Sequence, residues 1–326
     1  MRPPFAYYGG KTILAPRIAA LLPAHRHYVE PFAGSLAVLL AKPASRMETV
    51  NDLDQDLMTF WRVLRERPDD LIRAAALTPH SRAEYQRCRQ DADDEVEVAR
   101  RTWTLLTQGR SGRLSKTGWR HFVNPAGSST SMPGYLAGYI DRMAAAAARL
   151  HRVSLECRPA LEVIATYGQH PDVLLYVDPP YLGTTRNGAG YRHEMPTTKQ
   201  HQALAEALHA CAAAVVLSGY PSPLYDDLYP GWHQHHLLAG TGQGERWTER
   251  TEVLWANRPL RIPRVSSPGR NETTSTESGP LVRHCRCGRP IPRAAVGRTG
   301  RYCSPACRQA AYRARARSSD TKTRAA

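Results

Sequence analysis

The sequence predicts an α/β protein built on a doubly wound, mostly parallel sheet of about seven strands, with a helical insertion and a small cysteine-rich module after it. Three observations predict this. Strand-like runs alternate with amphipathic helical runs along much of the 326 residues, which is typical of βα units. A buried-strand run, Val173–Val177, ends in the acidic residue Asp178. Four of the seven cysteines crowd into the last 42 residues.

The strands and helices can be placed in order from their periodicity. Residues 28–32 form an extended run that breaks at Gly34, and apolar helical residues 36–40 follow. Residues 48–50 predict a second strand, which leads through Asn51 and Asp52 into a helix with one apolar face. Five further strands are predicted at 153–155, 173–177, 214–217, 233–238 and 251–255. The last two flank a glycine-rich segment, so we expect a hairpin.

Residues 65–150 are the natural place for an insertion. Gly34 and Asp178 lie 144 positions apart, whereas three βα units need only about 90 residues. This segment carries basic residues interleaved with Trp119 and Phe122, a composition suited to phosphates and exposed bases, namely Arg110, Arg113, Lys116 and Arg120. We therefore predict a target-recognition insertion that contacts nucleic acid. A solvated helical cap without a ligand is the alternative.

Positive charge is concentrated at the C terminus. Residues 259–326 hold 15 Lys and Arg against 3 Asp and Glu, whereas residues 1–258 hold 29 against 26. A polycationic tail on a nearly neutral body indicates a nucleic-acid partner. A tail that only raises solubility is the alternative. Residues 259–280, rich in Ser, Thr, Pro and Gly, predict a linker.

The cysteines of residues 281–326 predict a metal site. Cys285, Cys287, Cys303 and Cys307 resemble the ligands of a small zinc-binding, DNA-associated module, and four thiolates suit a closed structural zinc site. Only one residue separates the first pair, so His284 is an alternative ligand to Cys285. Arg308 and Arg313 lie on an alanine-rich helical stretch that we expect to contact DNA. A basic tail without metal is the alternative.

The segment Asp178-Pro179-Pro180-Tyr181 is the strongest chemical signal. It places a carboxylate, carbonyl acceptors without neighbouring N–H donors and an aromatic ring at the carboxyl end of a buried strand. Such a set of groups is suited to an amino group on a planar base.

This segment resembles the catalytic motif of amino-group DNA methyltransferases, and the motif order resembles the Dam-like, alpha-group adenine-specific family. The other matching elements over about residues 3–258 are Phe5 with residues 8–11, residues 28–34, Asn51-Asp52, residues 218–220 and residues 252–257. The resemblance implies a Rossmann-like methyltransferase domain over residues 1–258, with S-adenosylmethionine as cofactor.

The resemblance also implies residue roles. Asp52 would accept hydrogen bonds from the ribose hydroxyls of the cofactor, while Glu30 and Gly34 would line its methionine end. Gly10 and Lys11 would close over it, with Tyr8 and Asp178 in the same pocket, and Phe32 would pack either on the cofactor or on the sheet. A helix cap at Asp52 and a solvated surface lysine at position 11 are the alternatives. The family usually has a second small residue after Gly34, so Leu36 must point away from the cofactor.

Together these observations predict a site-specific DNA methyltransferase acting on the N6 amine of a flipped-out adenine. Asp178, Pro179, Pro180 and Tyr181 are its predicted catalytic residues. Methylation of the N4 amine of cytosine, or a DNA-binding protein that has lost activity, are the alternatives. We expect double-stranded DNA as partner, a restriction endonuclease as a candidate second partner, and a monomer. No run reaches the roughly 18 apolar residues of a membrane span and the N terminus lacks a signal peptide, so a cytoplasmic protein is expected.

Overall fold

A computed structural model describes residues 1–124, 130–182, 190–241 and 248–261, together with Cys285 and Cys307. The chain divides into two compact units, Met1–Arg264 and Val265–Ala326. Their boundary lies inside the segment predicted as a linker. The division of the tail into linker and module stays a prediction.

Seven strands of the described residues form one sheet in the order β3-β2-β1-β4-β5-β7-β6. The strands are β1 (His27–Glu30), β2 (Met47–Asn51), β3 (Ser154–Glu156), β4 (Val173–Val177), β5 (Ala214–Gly219), β6 (His233–Thr241) and β7 (Thr248–Ala256). The first five pair in parallel, whereas β7 runs antiparallel to both β5 and β6. The predicted doubly wound sheet is confirmed, as is the hairpin of its last two strands.

The strand order reverses direction between β1 and β4, which are neighbours in the sheet. In an open sheet of this kind, ligands bind in the crevice outside the carboxyl ends of the strands at the reversal point. The loop that follows β1 contains Gly34, and β4 is followed directly by Asp178. The fold therefore brings the two strongest sequence motifs to the same edge.

Helices cover both faces of the sheet. Successive residues of a strand face opposite sides of the sheet. Tyr28 of β1 therefore packs into one apolar cluster and Val29 into the other. The helices are α1 (Ala15–Leu21), α2 (Ala37–Ala41), α3 (Gln55–Glu66), α4 (Pro68–Leu77), α5 (Arg82–Arg87), α6 (Glu95–Gln108), α7 (Met132–Ile140), α8 (Met143–Leu150), α9 (Ala160–Tyr167), α10 (Thr198–His209) and α11 (Pro223–Leu228). None of these described helices is long and apolar enough to cross a bilayer.

The helical segment predicted as an insertion lies between β2 and β3. Its helices α4 to α8 do not form a separate core, since Trp103 of α6 and Met143 of α8 belong to the same buried cluster as Trp61 of α3. The indole N–H of Trp103 also donates to the Pro4 carbonyl at 3.0 Å. The segment is thus joined to the sheet domain by apolar packing.

Candidate active site at the carboxyl edge of the sheet

The loops after β1 and β2 are tied together by Asp52. Its two carboxylate oxygens accept the backbone N–H groups of Gly34 at 2.9 Å and Asp54 at 3.0 Å. The helix cap that sequence alone allowed at Asp52 belongs to Asp54, which accepts the Leu57 N–H at the start of α3. Asp52 therefore holds the β1 loop and keeps further lone pairs for a ligand.

Two left-handed residues shape the β1 loop. Gly34 has φ +46°, and a Cβ atom there would meet Cε1 of Tyr7 at 3.0 Å. Leu36 has φ 54° although it is not glycine, and its side chain is fully buried in the core. The prediction that Leu36 points away from the ligand side is confirmed. Left-handed backbone at leucine costs about 1–2 kcal/mol, which burial of the side chain offsets.

Lys11 and Asp178 form an ion pair beneath this loop. The Lys11 ammonium donates to both oxygens of Asp178, at 2.8 and 2.9 Å, and to the Gly9 carbonyl at 3.0 Å. The Lys11 side chain is only 6% exposed, so the alternative of a solvated surface lysine is wrong.

A second carboxylate, Glu252 of β7, lies behind this pair. It accepts hydrogen bonds from the hydroxyls of Tyr181 and Ser218, the latter at 2.6 Å, and lies 3.6 Å from the Lys11 ammonium. The Tyr181 hydroxyl is also 3.2 Å from Asp178. Sequence reasoning assigned no role to Glu252. An acidic residue inside the apolar run 252–256 was the signal that could have found it.

Tyr181 is less accessible than the predicted stacking on a base requires. Its ring is 7% exposed, with the Lys11 ammonium 4.8 Å from the ring centroid and the Tyr220 ring packed edge-on at 4.6 Å. In this conformation the residue links Asp178 to Glu252 through its hydroxyl. Stacking of Tyr181 on a target base stays a prediction.

Burial and charge shift the pKa values of the acidic groups. Burial raises the pKa of Asp178 to about 6, because desolvation and the nearby Glu252 outweigh the attraction of Lys11. Burial alone would lower the pKa of Lys11, yet Asp178 and Glu252 together hold it above its usual value. The ammonium is therefore charged throughout the physiological range.

Two further carboxyl groups face the same space. Burial raises the pKa of Asp52 to about 6, against the opposing effect of its backbone hydrogen bonds. Burial also raises the pKa of Glu30 well above its ordinary value. Among the described residues, the Glu30 Oε2 atom is buried without a hydrogen-bond partner. An unsatisfied buried oxygen at a cavity wall is a position for a donor from a ligand.

These groups line a cavity of about 370 Å³. All eight predicted cofactor residues border it: Tyr8, Gly10, Lys11, Glu30, Phe32, Gly34, Asp52 and Asp178. Pro180 also borders the cavity, whereas Pro179 and Tyr181 are not among its lining residues. Sequence reasoning missed other residues of the wall, among them Tyr7, Leu53, Leu161, Tyr191 and Arg192.

The chain returns to the cavity after residues 183–189, which lie outside the described residues. Arg192 forms ion pairs with Asp56 at 2.5 Å and Asp54 at 3.4 Å. The Tyr191 ring meets the Tyr8 ring edge-on at 5.3 Å. The segment that follows the catalytic motif is thereby anchored to the β2 loop.

The predicted DNA-contacting residues of the insertion lie in one turn after α6. A bridge joins Gly109 to Trp119, and the Gly112 carbonyl accepts the Tyr8 N–H at 2.8 Å. Arg110 and Lys116 are exposed, whereas Arg113 and Arg120 are half-buried. Arg113 packs over the Tyr8 ring at 4.0 Å and Arg120 over Tyr135 at 5.1 Å. The turn thus adjoins the cavity wall through Tyr8.

The two predicted aromatic partners differ in accessibility. Trp119 is half-buried and stacked on His80 at 4.3 Å, whereas Phe122 is 40% exposed. In the tail, residues His284, Cys287, Cys303, Arg308 and Arg313 lie outside the described residues. Cys285 is buried and Cys307 half-buried. The described residues contain no group of three metal-ligating side chains, and they do not include the whole predicted zinc set.

Comparison with known proteins identifies the chain's relatives. Residues 7–238 match the family described as D12 class N6 adenine-specific DNA methyltransferase. A type II methyltransferase of Lactococcus lactis subsp. cremoris is 27% identical over 278 residues, which cover 79% of this chain and 95% of the relative. The retron Ec67 DNA adenine methylase of Escherichia coli is 29% identical, covering 76% and 88%. A DNA adenine methylase of Vibrio cholerae is 26% identical, covering 68% and 83%.

The family match spans more than half of the chain and includes Lys11, Asp52 and Asp178. It confirms the predicted enzyme class, with S-adenosylmethionine as methyl donor and DNA as substrate. Because the family is adenine-specific, it also decides between the adenine and cytosine alternatives. The chain belongs to the D12 class N6 adenine-specific DNA methyltransferases.

Proposed function

We propose that Asp178 and the Pro179 carbonyl accept the two N–H bonds of the exocyclic N6 amine of adenine. The observation that supports this is the Asp178 carboxylate at the cavity wall, held by Lys11 at 2.8 and 2.9 Å. The amine nitrogen is a poor nucleophile because its lone pair is delocalised into the ring. Two acceptors directed at its hydrogens favour a pyramidal nitrogen with a localised lone pair.

Asp178 acts mainly through its charge. Positive charge grows on the nitrogen as the new N–C bond forms, so a fixed carboxylate stabilises the transition state more than the ground state. The extra proton leaves the nitrogen afterwards, and Asp178, with its pKa near 6, is suited to pass it to solvent.

The cavity residues fit S-adenosylmethionine, which supplies an electrophilic sulfonium methyl group when bound. Asp52 retains lone pairs for the two ribose hydroxyls, and the unpaired Glu30 oxygen suits the amino group of the methionine end. Gly34 borders the same cavity at φ +46°, a backbone conformation that glycine adopts without strain. The cavity volume of about 370 Å³ lies in the range of small-ligand sites.

The target adenine reaches this site only outside the duplex. Flipping the base out costs a few kcal/mol, and stacking on an aromatic ring returns about 1–3 kcal/mol. We assign that contact to Tyr181, which would require the ring to become more accessible when DNA binds. Arg110, Arg113, Lys116 and Arg120 are proposed to contact the DNA backbone, together with Arg308 and Arg313 of the tail.

The tail is proposed to bind one structural zinc ion through Cys285, Cys287, Cys303 and Cys307, with His284 as the alternative to Cys285. The support is the chemistry of four clustered thiols in a basic segment. Metal analysis of the purified protein should find one zinc per chain, lost on replacement of Cys303 and Cys307 by Ser. A metal-free protein would exclude this site. A paired restriction endonuclease also remains a proposal, prompted by the type II relative.

The decisive experiment measures methyl transfer from labelled S-adenosylmethionine to unmethylated DNA, with identification of the labelled nucleoside after digestion. Labelled N6-methyl-2′-deoxyadenosine is expected with the wild type, and none is expected with Asp178→Ala at unchanged DNA affinity. Substantial transfer by Asp178→Ala would overturn the role of Asp178. No transfer by a folded wild-type protein that binds DNA tightly would favour an inactive binding protein.

A further inference from the structure

Glu252 is a buried carboxylate that contacts the catalytic segment without lining the ligand cavity. It lies on β7 among apolar neighbours, Val253 to Ala256, all of them buried. Its side chain is 5% exposed. A charge in such a position is costly unless it is paired and hydrogen-bonded.

The partners of Glu252 all belong to the methyl-transfer site or its support. Its Oε1 atom accepts the Tyr181 and Ser218 hydroxyls and lies 3.6 Å from the Lys11 ammonium. Tyr181 and Lys11 also contact the Asp178 carboxylate. Asp178 and Glu252 therefore share both a tyrosine hydroxyl and a lysine ammonium.

The charges of the described groups around Asp178 do not cancel. Lys11 supplies one positive charge, and Asp178 and Glu252 supply two negative charges. The Tyr176 and Tyr181 hydroxyls near them are neutral, because burial raises their pKa values well above the ordinary value, and burial also raises the pKa of Glu30 on β1, which favours its neutral form. Tyr191, from the segment after the catalytic motif, also faces Lys11. Since Lys11 forms ion pairs with both Asp178 and Glu252, the two carboxylates share one ammonium and one negative charge is left uncompensated.

We propose that Glu252 is a positioning residue whose charge offsets the cation formed at the adenine amine while its hydrogen bonds orient Tyr181 and Lys11 toward Asp178. The inference rests on the proposed role of Asp178. A carboxylate behind the ion pair leaves the site one charge more negative than Asp178 and Lys11 alone. That excess lowers the energy of a transition state in which positive charge develops on the nitrogen.

The same charge acts on the titration of Asp178, which gives a test independent of turnover. Glu252 raises the pKa of Asp178, so removing its charge should lower that pKa. The variant Glu252→Gln keeps a carbonyl oxygen that can accept from Tyr181 and Ser218. Glu156→Gln is the matched control. Glu156 lies on β3 and also accepts a hydrogen bond from a tyrosine hydroxyl, that of Tyr167.

The first measurement is an NMR pH titration of the Asp178 carboxyl carbon in the free enzyme, with the signal assigned by its loss in Asp178→Asn. The second is kcat as a function of pH with S-adenosylmethionine and DNA. For Glu252→Gln we expect the Asp178 midpoint to fall by about one pH unit from about 6 and kcat to fall about 10- to 100-fold. Glu156→Gln should leave the midpoint where it is in the wild type.

The outcomes separate the inference from the function on which it rests. An unmoved midpoint, or an unchanged kcat, in folded Glu252→Gln would overturn the role of Glu252. If that variant does not fold, Glu252→Asp takes its place, since it keeps the charge but moves it away from Asp178. Glu252→Asp should lower the Asp178 midpoint by a smaller amount, and an unmoved midpoint would overturn the proposal. Full activity of Asp178→Asn would instead overturn the catalytic assignment itself.

Discussion

The ammonium of Lys11 contacts both carboxylate oxygens of Asp178, at 2.8 and 2.9 Å, although 167 positions separate the two residues. This contact joins an N-terminal glycine-rich element to the predicted catalytic motif after β4. It fixes the orientation of the carboxylate and favours its ionised form.

Replacing Lys11 with Met should therefore raise the titration midpoint of the Asp178 carboxyl above 6, whereas Glu252→Gln should lower it. With its cation gone, the buried Asp178 is left beside Glu252, and both desolvation and like-charge repulsion favour the protonated form. We expect kcat at pH 7 to fall about 100-fold and the acid limb of the pH profile to move upward. A limb that moves downward would contradict the ion pair's role.

The pH dependence of stability should reveal Asp52. Because burial raises its pKa from 3.8 to about 6, the folded protein binds this proton more tightly than the unfolded chain. The contribution of Asp52 to stability is therefore fully present below about pH 4 and is lost as the pH rises through about 6. The free energy of unfolding of Asp52→Asn should gain about 2 kcal/mol relative to the wild type between pH 4 and pH 7.

Denaturant titrations of both proteins at several pH values measure this difference. The variant should also bind S-adenosylmethionine at least about tenfold more weakly by calorimetry, as expected for lost charged hydrogen bonds. A difference in unfolding free energy that does not change with pH would mean that Asp52 has an ordinary pKa in the folded protein.

Gly34 and Gly138 form a matched pair of glycines. Gly34→Ala places a Cβ atom 3.0 Å from Tyr7 at φ +46°, so it should disturb the β1 loop and weaken cofactor binding at least about tenfold. Gly138 lies within α7, and nothing lies within 4 Å of the corresponding Cβ position. Gly138→Ala should therefore stabilise the protein by about 0.5–1 kcal/mol and leave cofactor affinity unchanged. Equal affinities of the two variants would argue against a backbone contact at Gly34.

The basic turn after α6 should account for part of the salt dependence of DNA binding. Arg110 and Lys116 are exposed there, so each substitution by Ala should reduce the slope of log affinity against log salt by about 1 if it removes one phosphate contact. Arg73→Ala on α4 is the control, since Arg73 is an exposed arginine outside this turn. If the slope falls equally in all three variants, the salt dependence reflects the overall positive charge of the protein and not a specific contact of the turn with phosphate.

The fold and most of the residues that line the candidate cofactor cavity were predictable because they depend on local signals. Periodicity located the strands, and the carboxyl ends of parallel strands collect Gly34, Asp52 and Asp178 at one edge. Glu252 was not assigned because its position depends on β7 pairing antiparallel with β5, a long-range contact that a local pattern does not encode. The sequence allowed the cap of α3 at Asp52, whereas the structure has it at Asp54. Periodicity does not locate the start of a helix to within two residues.

The position of β7 between β5 and β6 has a consequence for the newly synthesised chain. The last strand among the described residues is an inner strand of the sheet, and it brings Glu252 into contact with Tyr181. A nascent chain that has emerged through β6 still lacks this carboxylate and the strand that pairs with both β5 and β6. A chain that ends before β7 would therefore contain the motifs around Gly34, Asp52 and Asp178 but would lack Glu252 and the strand that pairs with both β5 and β6.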